Sequence, residues 1–419
     1  MNQLIKFFTA LMIICFGVYK SEAQSTQGHR ENTINADIVI ELGQSEDAGM
    51  SPALLDSAVT LFKRAIDENK VTGVQLLVAR RGKVVLQEAL GLRDLENNLP
   101  MEKNTLIRMA SNTKTLVATG ILILVEKGLL RINDPVSKYL QGFDTGLSAK
   151  ISIKHLLTHT AGFANQFDNY AGAITYSSNA NLKAPSLVME AFKIGIKGPR
   201  IQPGTSYLYS NWGYTVLGAL IESVSCQSID TFLSENIYEP LFMNNTSHHL
   251  YGVDSSRVSM NYVKSGNQWK IIPPETPPFV RSTGGLVTTT WDFAVFCQMC
   301  INGGIYNGRR IFSQETVKEA TSGLVKASYI YITPQETKRL GLNPDWYNSR
   351  DSRELGVDIA YGYGWVVSRN GMFSHAGFRG TFAIVDPQKD LIILIFSQSR
   401  EGGTPGNEFI EMVQKAIID

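Results

Sequence analysis

The chain has 419 residues, 43% of them hydrophobic and 18% charged, with a formal net charge of +1. That balance describes a folded protein with a large core and excludes a disordered or wholly membrane-embedded chain. With no basic run, internal repeat or nucleic-acid motif, nothing in it favours a nucleic acid or other polyanion as partner.

In chain order, Lys6 precedes an apolar run from Phe7 to Val18, followed by Ser21-Glu22-Ala23 with cleavage-site spacing before Gln24. The run is short for a membrane span and predicts a signal peptide over 1–23. The expectation is an exported protein, periplasmic or secreted, with no stable membrane anchor after cleavage. Ile14 before Cys15 argues against a lipid-modified cysteine, which would need a small residue there. Residues 24–46 are polar and aperiodic and read as a leader, with the folded domain over 47–419.

Ser51-Pro52 predicts the cap of an amphipathic helix reaching about Asn69. "VQLLVARRGKVVLQEAL" reads as a hairpin turning at Arg81-Gly82. From Thr105 to about Leu241 the pattern is mostly helical. Strand patterns return near Tyr262 and Ile271 and at "YGYGWVV", "TFAIVDP" and "LIILIFSQ", before a closing helix in "GNEFIEMVQKAII". Strands at both ends with helices between them imply an α/β (α+β) fold. One sheet is built from both chain ends and flanked by terminal helices, with a helical region over about 105–260 inserted. A cleft between the two parts is the expected site. The proline-rich "IPPETPPFV" and the aperiodic stretch from Ser322 to Val357 are candidate rims.

Three short patterns carry chemistry, and each occurs once: Ser111-x-x-Lys114, Tyr209-x-Asn211 and His375-x-Gly377. Residues three apart on a helix share a face, so Lys114 can reach Ser111. Helix-start amides favour charge developing on the serine. A desolvated lysine favours its neutral form and can take the serine proton. The bland alternative is a capping serine with a solvated lysine. Tyr209 can relay protons, with a pKa lowered by a nearby lysine, and the Asn211 amide can orient a substrate carbonyl or the lysine. Their bland reading is a helix cap beside a core tyrosine. Gly377 lets a strand approach substrate closely, and the Phe378 N–H can pair with that of Ser111 as an oxyanion hole. For His375 the bland reading is a strand-end histidine at a glycine bend.

Taken together in this order, the three patterns resemble the serine beta-lactamase and penicillin-binding-protein superfamily. The likeness is to the branch holding class C beta-lactamases, D-amino-acid peptidases and related esterases. "INDPVSKYL", "ISIKHLLTHTAGF", "ENIYEPLFMNNTS", "STGGLVTTTWDFAVF" and "FRGTFAIVDPQKD" extend it over roughly residues 50–419. The resemblance implies an antiparallel sheet flanked by helices and a helical region. It also implies Ser111 as nucleophile, Lys114 and Tyr209 as proton carriers, and no cofactor or metal. Asn211, His375 and Gly377 would then position lysine, tyrosine and substrate.

One departure matters. The family's usual third triplet is Lys-Thr-Gly, whose lysine and hydroxyl help hold a substrate carboxylate, whereas this chain has His375 and Ala376. Histidine is mostly uncharged near neutral pH and alanine has no hydroxyl. A bound carboxylate would lose contacts worth about 1.5–3 kcal/mol each. The expected substrate is therefore a small-molecule or peptide ester or amide without that carboxylate. A beta-lactamase, a D-Ala-D-Ala carboxypeptidase and a slowly acylating penicillin sensor are the alternatives.

Other candidates carry less. Lys264-Ser265-Gly266 mimics a lysine-type triplet but lies in a hairpin pattern around a Gly-Asn turn. Cys297 and Cys300 read as buried thiols on an apolar helix. His155 and His159 have zinc-helix spacing without the glutamate and read as structural, while His248-His249 reads as a solvated loop pair. No Gly-x-Ser-x-Gly elbow, Walker A motif or dinucleotide fingerprint occurs.

Overall fold

The structure, a computed structural model, describes residues 38–163, 186–248, 254–273, 280–326, 359–400 and 404–419. The signal peptide, most of the leader, His249 and most of both proposed rim loops lie outside the described residues.

Helix α1 (Pro52–Asp67) buries Leu55, Ala58, Val59, Phe62 and Ala65, the one-sided spacing that its sequence predicts. Proline stands at its first turn, but the Ser51 side chain makes no capping hydrogen bond. The hairpin of β2 (Gly73–Arg80) and β3 (Lys83–Asp94) turns at Arg81 and Gly82, both at positive φ (52° and 75°), as a tight two-residue turn requires. A short strand β1 (Glu41–Leu42) runs parallel to β3, and Ile40 is core. The ordered fold therefore reaches back into the stretch read as leader, because the run Ile38-Val39-Ile40 is too short to show a period.

The C-terminal half adds β4 (Val325–Lys326), β5 (Ile359–Tyr361), β6 (Val366–Ser368), β7 (Phe373–Gly377), β8 (Thr381–Asp386) and β9 (Leu391–Ser397). The ten-stranded sheet has the order β1-β3-β2-β9-β8-β7-β6-β5-β4, with Leu99–Pro100 paired to β3. Every pairing but β1 with β3 is antiparallel. Both ends of the chain thus meet at β2 and β9. Buried on both faces, these strands are continuous apolar runs rather than alternating ones.

Alternate residues of β2 and β9 serve different layers. Leu76, Val78, Ile393 and Ile395 pack with α1 and the terminal helix α6 (Gly406–Lys415), where Phe62 meets Phe409 edge-on. Leu77, Ala79, Leu394 and Phe396 face the larger core. That core includes α2 (Thr113–Glu126), α3 (Leu187–Lys197), α4 (Asn211–Ser225) and α5 (Thr290–Ile301). Among the described residues no single helix is long and apolar enough to cross a membrane.

The hairpin read around Gly266 is present as Asn261–Ser265 with Gln268–Ile272, pairing with Ser399–Arg400 outside the main sheet. Lys264 there bonds the Asn69 carbonyl and lies over the Trp269 ring. Cys297 and Cys300 are buried free thiols on α5, as expected, and burial pushes Cys300 up to about 12. His248 departs from the solvated pair. It is buried, its Nδ1 lies 2.6 Å from the Tyr238 hydroxyl, and its backbone N–H donates to Asp230.

Candidate active site

Ser111 lies at the exit of a short strand, Ile107–Arg108, that pairs with Val287–Thr288. Ala110 then takes a left-handed conformation (φ 46°), and a 3-10 turn over Ala110–Asn112 leads into α2. Neither this turn nor α2 has a side-chain cap, so Ser111 is not the capping serine of the bland reading. A non-glycine residue at positive φ is strained unless its surroundings hold it. Here Thr381 does so, donating from Oγ1 to the Met109 carbonyl (3.1 Å) while Asn112 Nδ2 donates to Thr381 Oγ1 (2.9 Å).

Turn and helix continue the same right-handed path, which brings Lys114 back over Ser111. The two side chains meet at 3.1 Å between Nζ and Oγ. Lys114 is fully buried because α2 is covered on nearly every side, and its amine also donates to the Thr283 carbonyl (3.1 Å). Burial, reinforced by the positive charge of Arg281, holds its pKa well below the usual lysine value. With its charged form disfavoured by burial, an amine that donates to Thr283 can keep a lone pair for the Ser111 proton. That disposes of a solvated lysine.

Tyr209 ends the loop before α4, where Ser210 caps the helix by accepting from the Trp212 N–H (3.2 Å). Lys114 Nζ lies 5.0 Å from the Tyr209 ring centroid, and the phenol shares a hydrogen bond with Ser111. Its pKa is raised, not lowered as the sequence suggested. Burial outweighs the Ser111 hydrogen bond. Asn211 opens α4, and its Oδ1 is buried without a hydrogen-bond partner among the described residues.

His375 stands on β7 behind these groups. Its Nδ1–H donates to the Ala376 carbonyl (3.0 Å), and its Nε2 accepts from the Tyr361 hydroxyl (3.3 Å). Burial, with Lys114 nearby, pushes its pKa down to about 3, so it is neutral. The sequence placed His375 among the groups that position lysine, tyrosine and substrate; both of its ring nitrogens are engaged inside the protein, and the Tyr209 ring lies 6.4 Å away.

Gly377 closes the arrangement. A Cβ there would fall 2.5 Å from the Met109 carbonyl oxygen and 2.1 Å from Thr381 Oγ1, so only glycine lets β7 lie this close to the serine turn. Phe378 follows at the hairpin tip and is 46% exposed.

Sequence reasoning did not assign roles to Thr283, Thr381, Arg281 or Tyr361, and read His159 only as structural. His155 and His159 share no metal-binding face. The short helix Ile153–Leu157 ends before His159, His155 caps that helix with Ser152, and no metal-binding cluster occurs among the described residues. The signal was present in "HLLTHTAGF" and "STGGLVTTT", quoted above only as segments.

A sheet of both chain ends, a helical layer, and a serine turn backed by a buried lysine define the beta-lactamase/transpeptidase-like fold. The chain belongs to the beta-lactamase family, which it matches over residues 58–410. It is 26% identical over 411 residues to a protein of Escherichia coli O157:H7 provisionally named D-alanyl-D-alanine carboxypeptidase, covering 86% of this chain and 85% of that one. The fold is shared with EstCE1, a hydrolase with promiscuous acyltransferase activity (TM-score 0.69, 20% identity, 88% of this chain and 99% of that one). It is shared too with the D-amino acid amidase of Ochrobactrum anthropi SV3 (TM-score 0.67, 21% identity, 87% and 98%).

Proposed function

We propose that this protein is an exported serine hydrolase that cleaves esters or amides lacking a free carboxylate beside the scissile bond. The observation that carries it is the buried Lys114 amine, anchored on Thr283 and 3.1 Å from Ser111 Oγ, with its pKa lowered by burial. Ser111 Oγ bonds the carbonyl carbon as its proton passes to Lys114, with Tyr209 as relay. The Ser111 and Phe378 amides hold the oxyanion, and the leaving group departs with the proton. Water, giving its proton to the same groups, then releases the acid and restores Ser111. Asn211 orients the substrate carbonyl or the lysine.

The preference against a carboxylate is supported by His375, neutral and bonded on both nitrogens, and by Ala376, which offers no hydroxyl. Export rests on the apolar run Phe7 to Val18 and the small residues before Gln24. A second reading, D-Ala-D-Ala carboxypeptidase, is favoured by the relative's name.

The test is turnover of p-nitrophenyl butyrate, a chromogenic cephalosporin and a D-Ala-D-Ala peptide by wild type and Ser111→Ala. Ester hydrolysis lost in Ser111→Ala, with the other two untouched, is the expected result. Peptide cleavage establishes the second reading, and rapid cephalosporin hydrolysis overturns the preference argued from His375. Stable acylation by the cephalosporin without turnover of any substrate makes the protein a sensor.

A further inference from the structure

We propose that His159 is a positioning residue that holds the Tyr209 phenol in register with Ser111. The inference rests on the reading of Tyr209 as the relay for the Ser111 proton.

Tyr209 belongs to a loop, and a loop side chain keeps a reactive geometry only when something fixes it. One residue does so from three directions. The His159 carbonyl accepts from the Leu208 N–H (2.7 Å), and its Nδ1 accepts from the Ser210 N–H (3.1 Å). Both neighbours of Tyr209 are thereby tied to His159. The imidazole also packs on the Tyr209 ring itself, with centroids 4.3 Å apart and planes tilted by 37°. Tyr214, Tyr361 and Tyr207 brace the imidazole at 5.0, 4.8 and 5.9 Å.

His159 is an expensive choice for its backbone. It follows a helix end in the left-handed region (φ 56°), where glycine or asparagine is the usual occupant. A strained histidine there is explained by what its ring does. Burial keeps it neutral, which leaves Nδ1 as an acceptor for the Ser210 N–H. No step of the proposed reaction uses its protons.

The alternative is that His159 merely fills the core. A double-mutant cycle separates the two, measuring kcat and KM for p-nitrophenyl butyrate with thermal melts alongside. His159→Phe keeps a ring and removes the acceptor. It is expected to lower kcat about 10- to 100-fold with little change in KM, and to cost nothing further in a Tyr209→Phe background. His159→Asn places an acceptor near Nδ1 and suits a positive φ, so it is expected to lose less. It also carries the test if His159→Phe does not fold. An equal loss in both backgrounds makes His159 structural and overturns the proposal while the Tyr209 reading stands. Wild-type kcat in His159→Phe overturns it too. Wild-type kcat in Tyr209→Phe removes the relay and, with it, this role.

Discussion

Gly377→Ala tests whether the strand–serine spacing sets the rate. The added methyl would lie 2.5 Å from the Met109 carbonyl oxygen, where a carbon needs about 3.3 Å. β7 must therefore withdraw by about 0.8 Å, and the Phe378 amide, one residue further along, withdraws with it. Misplacement on that scale costs about 100-fold, and loss of one oxyanion donor about 10²–10³-fold in kcat. The expected result is kcat for p-nitrophenyl butyrate down by about 100-fold, with a stability loss of about 1–3 kcal/mol from overpacking. The contact with Thr381 Oγ1, at 2.1 Å, is a side-chain contact that Thr381→Ala would relieve. The Met109 contact is backbone, so the double variant should stay slow. A folded Gly377→Ala enzyme with wild-type kcat, or full rescue by Thr381→Ala, would refute the reasoning.

Two further predictions concern charge. Arg281 helps hold Lys114 uncharged, so Arg281→Gln should raise the Lys114 pKa and move the acidic limb of kcat/KM to higher pH. An unmoved limb in a pH–rate profile contradicts this. His375 and His248 titrate near 3 when folded and about 6.5 when unfolded, so the unfolded state takes up protons first as pH falls. Stability contributed by these groups is full above about pH 6.5 and is lost progressively toward pH 3. Melting temperature followed across that window should fall less steeply in His248→Gln, and an identical slope would count against the burial argument.

The sheet was legible because period and turn chemistry agree: Arg81-Gly82 demanded a tight turn, and the apolar runs of β2 and β9 demanded burial on both faces. β1 was not, since three apolar residues show no period. The chemical triplets were legible as residue types at fixed spacing, yet their environments were not. The raised Tyr209 pKa depends on how deeply α2 and α4 bury the phenol, and the inward bonds of His375 depend on Tyr361, fourteen positions earlier in the chain. Spacing names a neighbour on one helix and says little of what the opposite layer brings.

The opposite layer is what decides the charge state of the site. Burial disfavours the charged forms of Lys114, His159 and His375, and the ionised form of the Tyr209 phenol for the same reason. Two consequences follow on the proposed reading. The Ser111 proton passes to the lone pair of Lys114, since an N–H of that amine, His159 Nδ1 and both His375 ring nitrogens are already hydrogen-bonded. Once Lys114 takes that proton, it becomes a buried cation 3.1 Å from the reacting oxygen, with no carboxylate hydrogen-bonded to it among the described residues. Such a cation is costly to keep and is stabilised chiefly by the oxyanion that forms with it. Proton transfer and carbonyl attack are thereby coupled, so the neutral cluster favours the step in which both occur over either alone.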